Sequence, residues 1–233
     1  MTGSDDRIEH AVWNTEIIRL PKQKLATFGT TNIHYYLLTE PVYAEITRDV
    51  NETVVREGRV IAEKPRIVTP YYLYRLQGFS QEANHYLDAL IRTYGPDAPG
   101  LFYTYRNEPK GLTIVAEHWR AVVDRLNAEI DKRGDPLAAI VKGEDELWDV
   151  SLLKFIYEVA RGALPHHVSQ MGARGLLNMD ASGVPMDARL RIEEMFRHVM
   201  QGNFDPDELK RELDRWNLFA EYEDRFFAIF KKK

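Results

Sequence analysis

Apolar residues across residues 1–78 come in short runs rich in Ile, Val, Thr and Tyr that end at Pro or Gly before a helical period can develop, which predicts extended structure. Glu16-Ile17-Ile18-Arg19-Leu20 stops at Pro21, which has no N–H to give to a ladder, and Asn32 to Thr39 stops ahead of Pro41. Thr53-Val54-Val55-Arg56 and Arg59-Val60-Ile61-Ala62 flank Glu57-Gly58. A two-residue connection whose glycine tolerates positive φ reads as a hairpin turn. Arg66 to Thr69 reads as a further strand that runs into Pro70 and an aromatic cluster, Tyr71-Tyr72-Leu73-Tyr74.

From Ser80 the period changes. Phe79, Ala83, Tyr86, Leu87, Leu90, Ile91 and Tyr94 share one stripe of a helix over 80–94, capped by Ser80 and stopped by Gly95-Pro96. Leu101 to Tyr105 and Leu112 to Val115, separated by Asn107, Pro109 and Gly111, read as a second hairpin.

After Val115 the pattern is helical almost to the end. Trp119, Val122, Val123, Leu126 and Ile130 form a stripe that Gly134-Asp135-Pro136 closes, and a short helix is expected at Leu137 to Val141. A long helix from about Asp145 to Arg161 carries Trp148, Leu152, Leu153, Phe155, Ile156 and Val159, an apolar arc wide enough to predict a place in the core. Met186 to Gln201 is amphipathic, with Pro185 near its start. Asp205-Pro206-Asp207-Glu208 is a helix start with cap, first-turn proline and a carboxylate that can reach back to the cap amide. A last helix spans about Leu218 to Phe230, before Lys231-Lys232-Lys233.

These elements predict an α+β protein with a sheet-rich part over 1–115, which includes the helix at 80–94, and a helical part over 116–233, forming one compact unit. The length, 233 residues with 44% apolar positions, suits a substantial core and excludes a disordered ground state. No cysteine is present, which removes disulfides, thiolate zinc sites, iron–sulfur clusters and a cysteine nucleophile. A net charge of -5 supplies no global field toward nucleic acid or acidic lipid. No stretch has the length of a membrane span, and the acidic opening Met1-Thr2-Gly3-Ser4-Asp5-Asp6 lacks the order of a secretion signal, so the expected address is the cytoplasm.

Candidate chemistry is sparse. Glu82 and His85 lie three apart and Glu194 and His198 four apart, spacings that let a carboxylate and an imidazole share a metal or a proton. At about 100° per residue both pairs turn to the polar side of their helices, so no metal and no cofactor is implied. His166 and His167, an adjacent pair after Pro165 in what reads as a connection between helices, are the catalytic candidates, with Asp180 as a companion. Arg56, Arg59, Arg66 and Arg75 with Tyr72 could combine guanidinium groups and rings into a surface for single-stranded nucleic acid or another polyanion, a reading the overall charge disfavours. Trp216, Phe219, Phe227 and Phe230 give the C-terminal segment more aromatic surface than one narrow stripe can hide, and so mark a contact with a protein partner or a second copy.

Walker, dinucleotide-binding and serine-nucleophile motifs are absent. The expectation is therefore an interaction, adaptor or regulatory protein that acts through surface contacts. Its rival is a small cytosolic enzyme with a pocket between the sheet and helical parts.

Overall fold

The computed structural model describes residues 3–42, 51–69, 72, 91–93, 95 and 100–232. It is an α+β arrangement of two compact units, each drawing on both the sheet-rich and the helical stretches of the sequence. One comprises Met1–Lys64 and Tyr103–His167, the other Pro65–Phe102 and Val168–Lys233.

The first unit opens with α1 (Gly3–Asn14) and continues through β1 (Glu16–Arg19), β2 (Thr31–Thr39) and β3 (Thr53–Ala62). After the excursion into the second unit it resumes with β6 (Tyr105–Val115), α2 (Trp119–Arg133) and β7 (Ala138–Lys142), and then enters α3 (Trp148–Ala173). The five strands form one mixed sheet in the order β1-β7-β2-β3-β6, in which only β2 and β7 run parallel. Ile33, Tyr35 and Leu37 with Val60, Ala139 and Val141 pack on Leu152, Phe155, Ile156 and Ala163 of α3. On the opposite face, Tyr36, Leu38, Ala138 and Ile140 pack on Val122, Val123, Leu126 and Ile130 of α2.

That sandwich explains where local patterns mislead. Leu137 to Val141 reads as a short helix, but Ala138 to Val141 are all buried in a strand covered on both faces, where a continuous apolar run replaces alternation. Neither expected hairpin forms: β3 runs unbroken through Glu57-Gly58, and β6 runs unbroken through Asn107 to Gly111. The register between β3 and β6 shifts at Glu57/Gly58, with Pro109 opposite Gly58. Proline is tolerated there because β6 is an edge strand beside a bulge.

Residues 3–14, part of the stretch read as extended, are helical because tertiary bonds hold the helix end. Lys154 Nζ donates to the carbonyls of Val12 and Thr15 at 2.7 and 2.9 Å, and the Thr15 hydroxyl meets Ser151 Oγ at 2.8 Å. The long helix also departs from its expected end. It continues through Pro165 to Ala173, so His166 and His167 are helical and not in a loop. Proline lacks the donor for the Arg161 carbonyl, and both residues are exposed, so water can satisfy that oxygen.

The second unit pairs β4 (Arg66–Val68) with β5 (Gly100–Phe102) and carries α4 (Met186–Met200), α5 (Pro206–Arg215) and α6 (Phe219–Ala228). Ile192, Phe196, Leu209, Leu213, Trp216 and Phe226 form its core. Asp205 caps α5 by accepting the Asp207 N–H at 2.9 Å, with Pro206 in the first turn as its chemistry predicts. Glu208 pairs with Arg211 at 2.6 Å instead of reaching back. Most of the helix expected over 80–94 lies outside the described residues; residues 91–93 are helical, and Gly95, at φ 90°, donates to the Ile91 carbonyl at 2.9 Å as its glycine stop requires. No helix among the described residues is long and apolar enough to cross a membrane.

Candidate functional site

The carboxyl ends of the parallel strands β2 and β7 are a place where a sheet flanked by helices leaves room for a ligand. A cleft of about 810 Å3 opens there, lined among others by His10 and Asn14 of α1, by Glu40, and by Lys142, Glu144 and Asp145. The turn after β7 is pressed against α3: a Cβ on Gly143 would lie 2.2 Å from Ser151 Oγ.

The cleft is acidic, yet four of its carboxylates, Glu40, Glu144, Asp145 and Glu146, already have partners. Asp145 pairs with Arg56 at 2.7 Å and accepts the Thr39 hydroxyl at 2.6 Å. Glu144 accepts the Asn14 amide at 2.8 Å, Glu146 pairs with Arg7, and Glu40 lies 3.4 Å from Lys142. Among the described residues no group of three or more His, Asp or Glu is arranged to hold a metal ion.

His167 is fully buried on the sheet side of α3. Its Nε2–H donates to the Leu25 carbonyl at 3.0 Å, which can only accept, so Nδ1 carries the lone pair that takes the Tyr103 hydroxyl at 2.9 Å. Both nitrogens are thereby occupied, and burial, aided by the neighbouring His166, pushes the imidazole pKa down despite the Leu25 bond. A folded pKa below the unfolded value means that the unfolded chain takes up the proton first, so this contribution is complete above about pH 7 and is lost as pH falls below about 6.5. The thermal midpoint should accordingly drop between about pH 7.5 and 5.5, and drop less in His167→Gln. Parallel pH profiles for the two proteins would mean that His167 is not held neutral.

Asp180 belongs to the other unit and is also committed there. It accepts the amides of Ser182 and Val184 at 2.8 and 3.0 Å and pairs with Arg189 at 2.7 Å. Burial alone would raise its pKa, but these bonds take it below the ordinary carboxylate range.

The proposed polyanion residues are divided between the two units. Arg56 is taken by Asp145 and also donates to Thr39 Oγ1 at 2.8 Å, and Arg59 is paired with Glu108. In the second unit Arg66 lies over the Phe102 ring at 5.7 Å, and Tyr72 is buried with its hydroxyl on Glu212 at 3.0 Å. Arg75 lies outside the described residues. Of the C-terminal aromatics, Trp216 is buried against Tyr72 and Phe219 packs on the core, whereas Phe227 and Phe230 are exposed. Of the outward-turned pairs, His198 is exposed and Glu194 half-buried on α4, while Glu82 and His85 lie outside the described residues.

Several exposed apolar side chains that the sequence does not mark as a surface lie on α1 and α3. Trp13 is 85% exposed, Leu153 65%, Tyr157 63% and Leu164 41%. Lys154, next to Leu153, ties the Trp13 end of α1 to α3 through Val12 and Thr15. The signal was the breadth of the apolar arc on the long helix: one side of α3 covers the sheet, and Leu153 belongs to a second side that does not. Compared with known protein families, curated proteins and solved structures, the chain finds no match.

Proposed function

We propose that this protein works by contact with another protein, seated on the exposed apolar flank that α1 and α3 carry. The observation behind this reading is the exposure of Trp13, Leu153 and Tyr157, on two helices that Lys154 ties together at the Val12 carbonyl. Scattered single apolar residues on a surface need no explanation, but an exposed tryptophan and an exposed tyrosine are of the types that dominate binding energy, and Leu153 lies one helical turn from Tyr157. The cleft supports this choice by contrast, since Glu40, Glu144, Asp145 and Glu146 are engaged within the fold.

The test is a photo-crosslinking amino acid placed at Tyr157 in the producing cells, with the same group at exposed Lys132 of α2 as control. Discrete cross-linked protein from position 157 and background alone from position 132 is the expected result. Background at both positions would overturn the reading.

A further inference from the structure

We infer that the occupant of this flank is a second copy of the same chain, docked through an antiparallel pairing of α3 with α3; this rests on the contact reading above and names its partner. Leu153, Tyr157, Ala160 and Leu164 follow one another at steps of four, three and four. That is the spacing of a coiled-coil seam, and at 100° per residue the four positions fall within about 60° of one another over a length of about 16 Å. The seam is separate from the face of α3 that carries Leu152, Phe155, Ile156 and Ala163 into the sheet core.

The seam is also self-complementary. With a two-fold axis passing between Glu158 and Val159, Leu153 of one copy meets Leu164 of the other, and Tyr157 meets Ala160. Each large ring then faces a small methyl group, and the match occurs twice. A parallel pairing would set Tyr157 on Tyr157 and Ala160 on Ala160, crowding one level and leaving a gap at the next.

The exposed area is of the right order. Trp13, Leu153, Tyr157 and Leu164 at their observed exposures present on the order of 500 Å2 of side chain per copy, hence about 1,000 Å2 in the pair, the area a biological contact has to clear, with flanking residues supplying the rest of the roughly 1,200 Å2 that a stable one buries. Lys154 holds the carbonyls of Val12 and Thr15, on either side of Trp13, so the α1 end that carries this ring is tied to α3 and would extend the contact at both ends of the seam.

Sedimentation of the full chain over a concentration series should show a reversible dimer. Tyr157→Asp, an exposed position, should raise its dissociation constant by about thirtyfold or more while leaving in place the unfolding midpoint measured at concentrations where the parent is monomeric. The chain has no cysteine, so single cysteines report the geometry directly. An equimolar mixture of Leu153→Cys and Leu164→Cys should form a disulfide-linked dimer under mild oxidant, and neither variant alone should do so to the same extent. Equal cross-linking by each variant alone would overturn the antiparallel arrangement, and a monomer at every concentration would overturn the second copy.

Mass analysis of the product from the photo-crosslinker at position 157 separates the two levels. A product of twice the chain mass supports the dimer. A different protein overturns the dimer but leaves the contact reading standing, and no product overturns both.

Discussion

Glu212→Ala should destabilise the second unit by about 3–5 kcal/mol, read as a lower urea midpoint, because it leaves a buried cation without its counter-charge. The Glu212 side chain is 4% exposed and that of its partner Arg191 is 10% exposed. Arg191 Nη2 meets Glu212, while Nε and Nη1 are buried without a hydrogen-bond acceptor among the described residues, so Glu212 is the one carboxylate that compensates this guanidinium there. The same carboxylate accepts the Tyr72 hydroxyl and the Trp216 indole N–H, each at 3.0 Å, and both would be orphaned with it. Burial first, then the Glu212 charge, pushes the Tyr72 pKa up, which keeps this hydroxyl a donor.

Graded variants divide the effect. Tyr72→Phe removes one hydrogen bond to a charged group and should cost about 1.5–3 kcal/mol, less than the loss of the carboxylate itself. A midpoint for Glu212→Ala within experimental error of the parent would show that Arg191 is hydrated and that the pair is not a buried one.

Gly58→Ala should destabilise the first unit by roughly 1–3 kcal/mol, because the added methyl enters space already filled. A Cβ at Gly58 would stand 2.4 Å from the Tyr35 hydroxyl oxygen and 2.5 Å from ring atom Cζ. Tyr35 is buried and its hydroxyl donates to Asn107 at 3.0 Å, so the ring has little freedom to withdraw. Tyr35→Leu in the same chain removes the obstructing atoms. The double variant should therefore lose less stability than the two single variants together, by a coupling of about 0.5–3 kcal/mol in chemical denaturation. Strict additivity would mean that the strand bends away and that the glycine is not there to admit the ring.

Gly58 shows why the hairpin reading failed. Glu57-Gly58 between two short β-prone runs carries the local mark of a turn, and nothing in those residues announces Tyr35 lying against them from the neighbouring strand. The Glu57/Gly58 shift in register against β6 is likewise visible only with β6 in place. The fate of His166 and His167 has the same character. Pro165 argues for the end of a helix, and the continuation of α3 to Ala173 with His167 held by Leu25 and Tyr103 overrules it.

The candidate contact surface was half legible. A wide apolar arc on the long helix could be read from its periodicity, but an arc too wide for one neighbour fits a central helix and an unpartnered one equally well. Exposure of Leu153, Tyr157 and Leu164 decides between them. Trp13 had no legible role, since the helix that displays it is held at its end by Lys154, far along the chain.

What the sequence by itself determined is the α+β class, the strand stops at Pro21 and Pro41, the caps at Asp205 and Gly134, and the absence of any thiol chemistry. Each of these depends on a residue's own torsional freedom, its donors and acceptors, or neighbours within one turn of chain. Only the tertiary structure decided that Ala138 to Lys142 is a strand within the sheet, that Gly58 is a contact glycine, that His167 is a saturated neutral imidazole, and which side of α3 stays uncovered. Those outcomes depend on which distant segments supply the opposing surface, and burial energies of that kind exceed local preferences of a few tenths of a kcal/mol up to ~1 kcal/mol per residue.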